Sequence, residues 1–270
     1  MRTPSHTLKL TPLIALVVAI QSCDPMTGTD SIPPSSPTGL ATRTGDNFIE
    51  LFWDESPESD LEGYHVYLSS SSGGPFVLIG SGSASYFVDT GARNGQTYFY
   101  TVSAYDHSGN ESELSREIVY DIPRPEGYGV ILHDFRNLPD LGGYDFSTFR
   151  VLPYDDLYTD MYYEYYQGEY YMVVRLEDTD IQDMGATSSI LDVPVAPASG
   201  WSETHDVRLT VGHTYVVWTW DDHYAKFRVT SISPGRIVFD WAYQLQKANP
   251  LLKRIVGEEG RVAPHLERSR

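Results

Sequence analysis

Between Asp155 and Tyr171 the chain reads Asp-Asp-Leu-Tyr-Thr-Asp-Met-Tyr-Tyr-Glu-Tyr-Tyr-Gln-Gly-Glu-Tyr-Tyr. Tyr162, Tyr163, Tyr165, Tyr166, Tyr170 and Tyr171 place six phenols within ten residues. A phenol is an apolar plate with a polar tip, suited to stacking on a sugar or a peptide while its hydroxyl stays wet. The same spacing fits a β-hairpin with Gly168 in its turn and Tyr pairs facing each other across both sides. Downstream, Glu177-Asp-Thr-Asp-Ile-Gln-Asp183 offers hard oxygen ligands of the kind calcium takes. It lacks the mid-loop Gly and closing Glu of an EF-hand and reads first as a solvated acidic loop. His133, His205, His213 and His223 are the histidines of the second all-β segment, and His205-Asp206 and Asp221-Asp222-His223 are among the places that set an acid beside one. Acyl transfer needs an activated nucleophile and an oxyanion site as well. The chain has no Gly-x-Ser-x-Gly elbow, no His-Glu-x-x-His and no phosphate loop, so the sequence predicts no enzyme and no catalytic residue.

Charge narrows the partners. The chain carries −18, and residues 23–252 hold 12 basic against 34 acidic residues, or −22. Phosphate backbones demand a basic surface, so nucleic acid is excluded as a partner. Docking on anionic lipid by charge is excluded for the same reason. A strongly acidic body keeps an exported protein soluble.

The N-terminal segment reads as an export signal over residues 1–22. Arg2 and Lys9 are followed by the apolar run Leu13 to Ile20. That run is shorter than the roughly 20 residues a spanning helix needs and fits the apolar core of a signal peptide. It ends Ile20-Gln21-Ser22-Cys23, which resembles the lipobox of bacterial lipoproteins. The resemblance implies that Cys23 is lipidated and becomes the new N-terminus, anchoring the chain to the cell envelope on its periplasmic or outer face. Cys23 is the chain's one cysteine, so no internal disulfide is expected. Residues 23–36, rich in Pro, Ser, Thr and Gly, form the expected tether.

From residue 37 to 123 a two-residue apolar period sets in: Ile49, Leu51 and Trp53, then Tyr64, Val66 and Leu68, then Tyr98, Tyr100, Val102 and Ala104. Gly- and Pro-bearing turns separate these runs, which predicts a β-sandwich. The segments Pro37 to Ala41, Ile49 to Trp53, Asp60 to Tyr67, and Gly95 to Asp106 with Gly109 to Ser112 resemble the fibronectin type III family. The resemblance implies an immunoglobulin-like sandwich with Trp53 and Tyr64 in its core. It sets Tyr98 at the tyrosine corner, where the phenol bonds backbone. No Arg-Gly-Asp stands in the loop Asp106 to Asn110, so nothing integrin-like follows.

Ile122-Pro-Arg-Pro-Glu126 reads as a short stiff linker, and residues 127–250 as a second antiparallel all-β unit, a sandwich or open barrel. Its expected strands are Gly129 to His133, Phe146 to Leu152, Tyr170 to Leu176, Ile190 to Val193, Asp206 to Leu209, Thr214 to Thr219, Ala225 to Ser231 and Ile237 to Tyr243. Ala248 to Ile255 is expected to close it as a helical turn, and residues 251–270 form a basic tail. Gly212 to Trp220, Tyr224 to Ile232 and Ile237 to Gln244 resemble the closing strands of HmuY-like haem-binding lipoproteins. That implies an all-β surface lipoprotein, with bis-His haem ligation by two of the four histidines as a secondary expectation. The leading expectation is a non-enzymatic, membrane-anchored binding protein that uses no cofactor and meets a protein or glycan partner through the Tyr cluster. A haem or small-ligand carrier and an accessory protein for carbohydrate or protein hydrolysis are the alternatives.

Overall fold

The computed structural model describes residues 30–252, and Cys23, the export segment and nearly all of the basic tail lie outside them. The described chain is built almost wholly of antiparallel strands, as the apolar alternation predicts. Seven strands make the first sandwich. They are β1 (Ala41–Thr44), β2 (Ile49–Phe52), β3 (Leu61–Ser69), β4 (Val77–Gly82), β5 (Tyr86–Asp89), β6 (Tyr98–Asp106) and β7 (Val119–Asp121). They pair as a three-stranded sheet, β1-β2-β5, and a four-stranded sheet, β4-β3-β6-β7, which is the fibronectin type III arrangement. Alternation decides the facing: Ile49 and Leu51 of β2, Tyr64 and Val66 of β3, and Tyr100, Val102 and Ala104 of β6 turn inward and form one core with Trp53. Each fully buried side chain of this size contributes about 1.5–3 kcal/mol. Trp53 packs edge-on to Tyr64 with ring centres 5.3 Å apart. The Tyr98 phenol accepts the Arg93 amide at 3.0 Å and donates to Gln96 Oε1 at 2.7 Å, pinning the turn before β6.

Ten further strands follow: β8 (Glu126–His133), β9 (Gly143–Asp145), β10 (Arg150–Leu152), β11 (Met161–Tyr166), β12 (Glu169–Val174), β13 (Asp180–Ala186), β14 (Asp206–Arg208), β15 (His213–Trp218), β16 (Tyr224–Ser233) and β17 (Arg236–Gln244). They form two five-stranded sheets, β10-β9-β11-β12-β14 and β13-β15-β16-β17-β8. Tyr144, Met161, Tyr163 and Met172 of the first, with Phe146 from the turn after β9, meet Tyr215, Phe227, Phe239, Trp241 and Tyr243 of the second in an aromatic core. The second sheet is covered on its other face by Val193, Ala196 and Leu252, which pack on Val216, Trp218 and Tyr224.

The structure departs from the sequence reading in four places. Phe146 to Leu152 is not one strand: the Asp145 carboxylate accepts the Ser147 amide and both neighbouring hydroxyls, reversing the chain into a turn between β9 and β10. The acidic stretch expected as a loop is one only over Glu177 to Thr179; its remainder enters edge strand β13 (Asp180–Ala186), whose acidic side chains guard the sheet edge. Ile190–Asp192 is a 3₁₀ turn rather than a strand, because Ser189 and Asp192 form a reciprocal capping box. Residues 248–252 make no helical turn; Leu251 bridges Val195 and the Leu252 amide bonds Pro194.

The segment joining the two sandwiches is buried rather than a free spacer. Ile122, Pro123, Arg124 and Pro125 are all buried. Backbone bonds tie the segment to both sides: Gly95 N to Pro123 O and Arg124 N to Gly45 O on one, Tyr243 N to Pro125 O on the other. The Gln246 amide reaches across to Gly95 O at 2.9 Å.

Candidate functional site

The Tyr hairpin is formed by β11 and β12 of the second sandwich. β11 and β12 pair in register from Met161 opposite Val174 to Tyr166 opposite Glu169. They are joined by Gln167 and Gly168, both at positive φ (52° and 89°). Two such residues make the tight turn whose twist matches paired strands. Because side chains alternate, the six phenols cannot share one surface. Tyr163 is fully buried and its hydroxyl donates to Ser233 O at 2.5 Å, while Tyr165 and Tyr170 pack onto the core. This corrects their assignment as contact residues: period-two alternation on a strand with one buried face commits every second phenol to the interior. Tyr162, Tyr166 and Tyr171 lie on the outer face with Glu164, Glu169 and Val173.

On that face the rings are organised. Phe135 lies 4.6 Å from Tyr154 and 5.0 Å from Tyr162, and Tyr154 lies 5.6 Å from Tyr162. The Arg136 guanidinium sits 4.9 Å from the rings of both Phe135 and Tyr166 and is ion-paired to Glu164. Arg208 of β14 pairs with Glu169 next to it. Burial, then the nearby Glu164 charge, pushes the Tyr162 phenol above its ordinary pKa, so it stays a neutral donor. The sequence did not point to Phe135 and Arg136, which arrive from the loop after β8, or to Tyr154, which arrives from the loop before β11.

His133 and His223 lie at opposite ends of one strand. His133 pairs with Arg236 at one end of β17, and His223 precedes Tyr224, which pairs with Gln244 at its other end. The nine residues of β17 span roughly 30 Å at about 3.3 Å each, so these two cannot ligate one iron. His205 Nδ1 faces Thr179 O at 3.2 Å, and His213 Nδ1 faces the Asp183 carboxylate at 3.0 Å. Among the described residues the group of carboxylates, histidines and cysteines close enough to share an ion is Asp30, Asp60 and Asp106 in the first sandwich. The Asp106 carboxylate there is already engaged by the Asn110 amide and by the Ser108 and Asn110 backbone.

A buried acidic group also escaped the sequence reading. Asp160 is 2% exposed, and burial raises its pKa to about 8, against the Phe146 N–H that bonds it at 2.8 Å and with Asp145 and Asp221 adding repulsion. Burial also acts on Asp221, but bonds from His223 and Thr219 outweigh it and hold that carboxylate low. Thr219 Oγ1 donates to Asp221 at 2.6 Å, so the hydroxyl there is held by a carboxylate rather than by a histidine base. Ser81 meets His65 at 2.6 Å as a cross-strand pair in the first sandwich, and that ring stacks on Tyr105 at 4.2 Å.

No family model matches the chain. A stretch of 102 residues, 37% of the chain, is 35% identical to the amylopullulanase of Thermoanaerobacterium saccharolyticum and covers 8% of it. A stretch of 91 residues, 33% of the chain, is 35% identical to a chitinase of Paenibacillus xylanexedens and covers 16% of that enzyme. Among solved structures, a fibronectin type III-like protein from Clostridium thermocellum is 32% identical over 30% of this chain and 88% of its own, with a TM-score of 0.26. The chain spans less than a fifth of the length of the curated relatives it matches.

Proposed function

We propose that this is an exported, lipid-anchored binding protein without catalytic activity, in which the outer aromatic face of the second sandwich is the contact surface. The observation that carries this is the ordered strip Tyr154, Phe135, Tyr162, Arg136 and Tyr166 on one open sheet face. Half-buried rings held by one another and by a paired Arg are costly to keep at a surface for stability alone, and such surfaces mark sites of interaction. The first sandwich and its buried junction act as a rigid mount that carries this face away from the membrane. Similarity to short parts of an amylopullulanase and a chitinase supports an accessory module of the kind joined to polymer-degrading enzymes, since the shared portion is too small to hold the whole of either enzyme.

The anchor reading rests on the lipobox-like run ending in Cys23. Among the described residues no helix is long and apolar enough to cross a membrane. Replacing Cys23 by Ser in the full chain is expected to move the protein from the membrane pellet to the soluble fraction and to abolish incorporation of an alkyne-tagged fatty acid. A variant that stays pelleted and labelled would refute the anchor.

A further inference from the structure

The ligand class can be read from the strip itself, taking as given that this face is the contact surface. Tyr162 and Tyr166 stand four residues apart on β11, roughly 13 Å at about 3.3 Å per residue. Between them the Phe135 ring and the Arg136 guanidinium fill the interval, at 5.0 Å from Tyr162 and 4.9 Å from Tyr166 respectively. Phe135, Tyr154 and Tyr162 pack tilted and edge-on as one cluster, and Arg136 leads from it to Tyr166, so the apolar groups make an elongated patch along β11. An elongated aromatic patch suits a linear polymer that presents repeated C–H faces.

Charge selects among such polymers. The chain carries −18, yet on this face Arg136 is paired with Glu164 and Arg208 with Glu169. The strip is locally neutralised inside an acidic molecule. A polyanion would meet the molecule's overall repulsion with no unpaired cation on the strip to compensate, and a polycation would find both carboxylates engaged. Each ion pair still sets N–H donors beside carboxylate acceptors, and hydroxyl groups need both. The Tyr162 phenol adds a donor that stays protonated.

We propose that the strip Tyr154–Tyr162–Phe135–Arg136–Tyr166 binds an uncharged polysaccharide, stacking sugar rings on the aromatic plates and bonding their hydroxyls through the Arg136–Glu164 pair. The test is affinity electrophoresis of the full chain in gels holding pullulan, soluble starch, hydroxyethyl cellulose or glycol chitin, with alginate and polygalacturonate as anionic counterparts. Retardation by at least one neutral polymer, weakened tenfold or more by Tyr166→Ala and by Tyr162→Ala but unchanged by Tyr128→Ala on the other sheet, is the expected result. Tyr166 is 49% exposed, so its variant keeps the fold, which circular dichroism verifies. No retardation by any neutral polymer, retardation untouched by both strip variants, or preference for alginate would each overturn the proposal. If the neutral polymers fail while the strip is still protected from footprinting reagents on cells, the contact-surface reading stands and only the polysaccharide assignment falls. If that protection is absent too, both fall.

Discussion

At the scale of single residues, the second sandwich holds one side chain whose protonation is set against its ordinary chemistry. Asp160 keeps its proton to about pH 8 because it is buried, and because Asp145 and Asp221 would repel its charge. In the unfolded chain the same carboxyl titrates near 4. Between these values the folded protein holds a proton that the unfolded chain has lost, so stability falls as pH rises through that window. The slope contributed is up to about 1.4 kcal/mol per pH unit. Asp160→Asn is therefore expected to flatten the fall in urea midpoint between pH 5 and pH 9 and to be more stable than the parent at pH 9. Parallel pH profiles for the two proteins would contradict the assignment. Nothing in the sequence marks Asp160 out: it is one of three acids in Asp155 to Asp160, and only the approach of β9 and the Thr219–His223 turn makes it special.

At the scale of elements, the hairpin was legible because its signals agree. The apolar and aromatic alternation, the Gly168 turn and the pairing of Tyr165 with Tyr170 all specify one register. What composition could not show was which phenols face out, since both sides of the hairpin read Tyr. Facing was decided by Met161, Met172 and Val174, which must join the core and carry Tyr163, Tyr165 and Tyr170 inward with them. Gly168 sits at φ 89° with open space where a Cβ would stand. The cost of a side chain there is conformational, about 1–2 kcal/mol. Gly168→Ala is expected to lower the unfolding free energy by that amount without changing the outer face, measured by chemical denaturation beside a binding assay. An unchanged stability would contradict the turn geometry. β13 and the break between β9 and β10 were missed for a shared reason: acids and small hydroxyl residues look like loops by composition, and here they serve an edge strand and an Asx-type turn.

At the scale of the whole molecule, the two all-β bodies were legible from their separate apolar periods, while the junction was not. A Pro-Arg-Pro run reads as an exposed spacer, yet Arg124 is fully buried between Gly45 and β8, with its guanidinium Nε and Nη2 unpartnered. The segment is therefore part of the packing of both sandwiches, and they are expected to unfold as one cooperative unit. Arg124→Ala removes that packing. It is expected to cost about 2 kcal/mol or more and to split one calorimetric transition into two. Two transitions already present in the parent protein would contradict the fixed junction.

The central claim is that the outer strip of the second sandwich is a contact surface. Hydroxyl-radical footprinting of the anchored protein on intact cells, compared with the purified chain, tests it most directly. Tyr166 and Tyr162 are expected to be protected on cells and reactive in isolation, while Tyr128, 67% exposed on the opposite sheet, reacts equally in both. Equal labelling of Tyr162, Tyr166 and Tyr128 in the two settings would contradict the account.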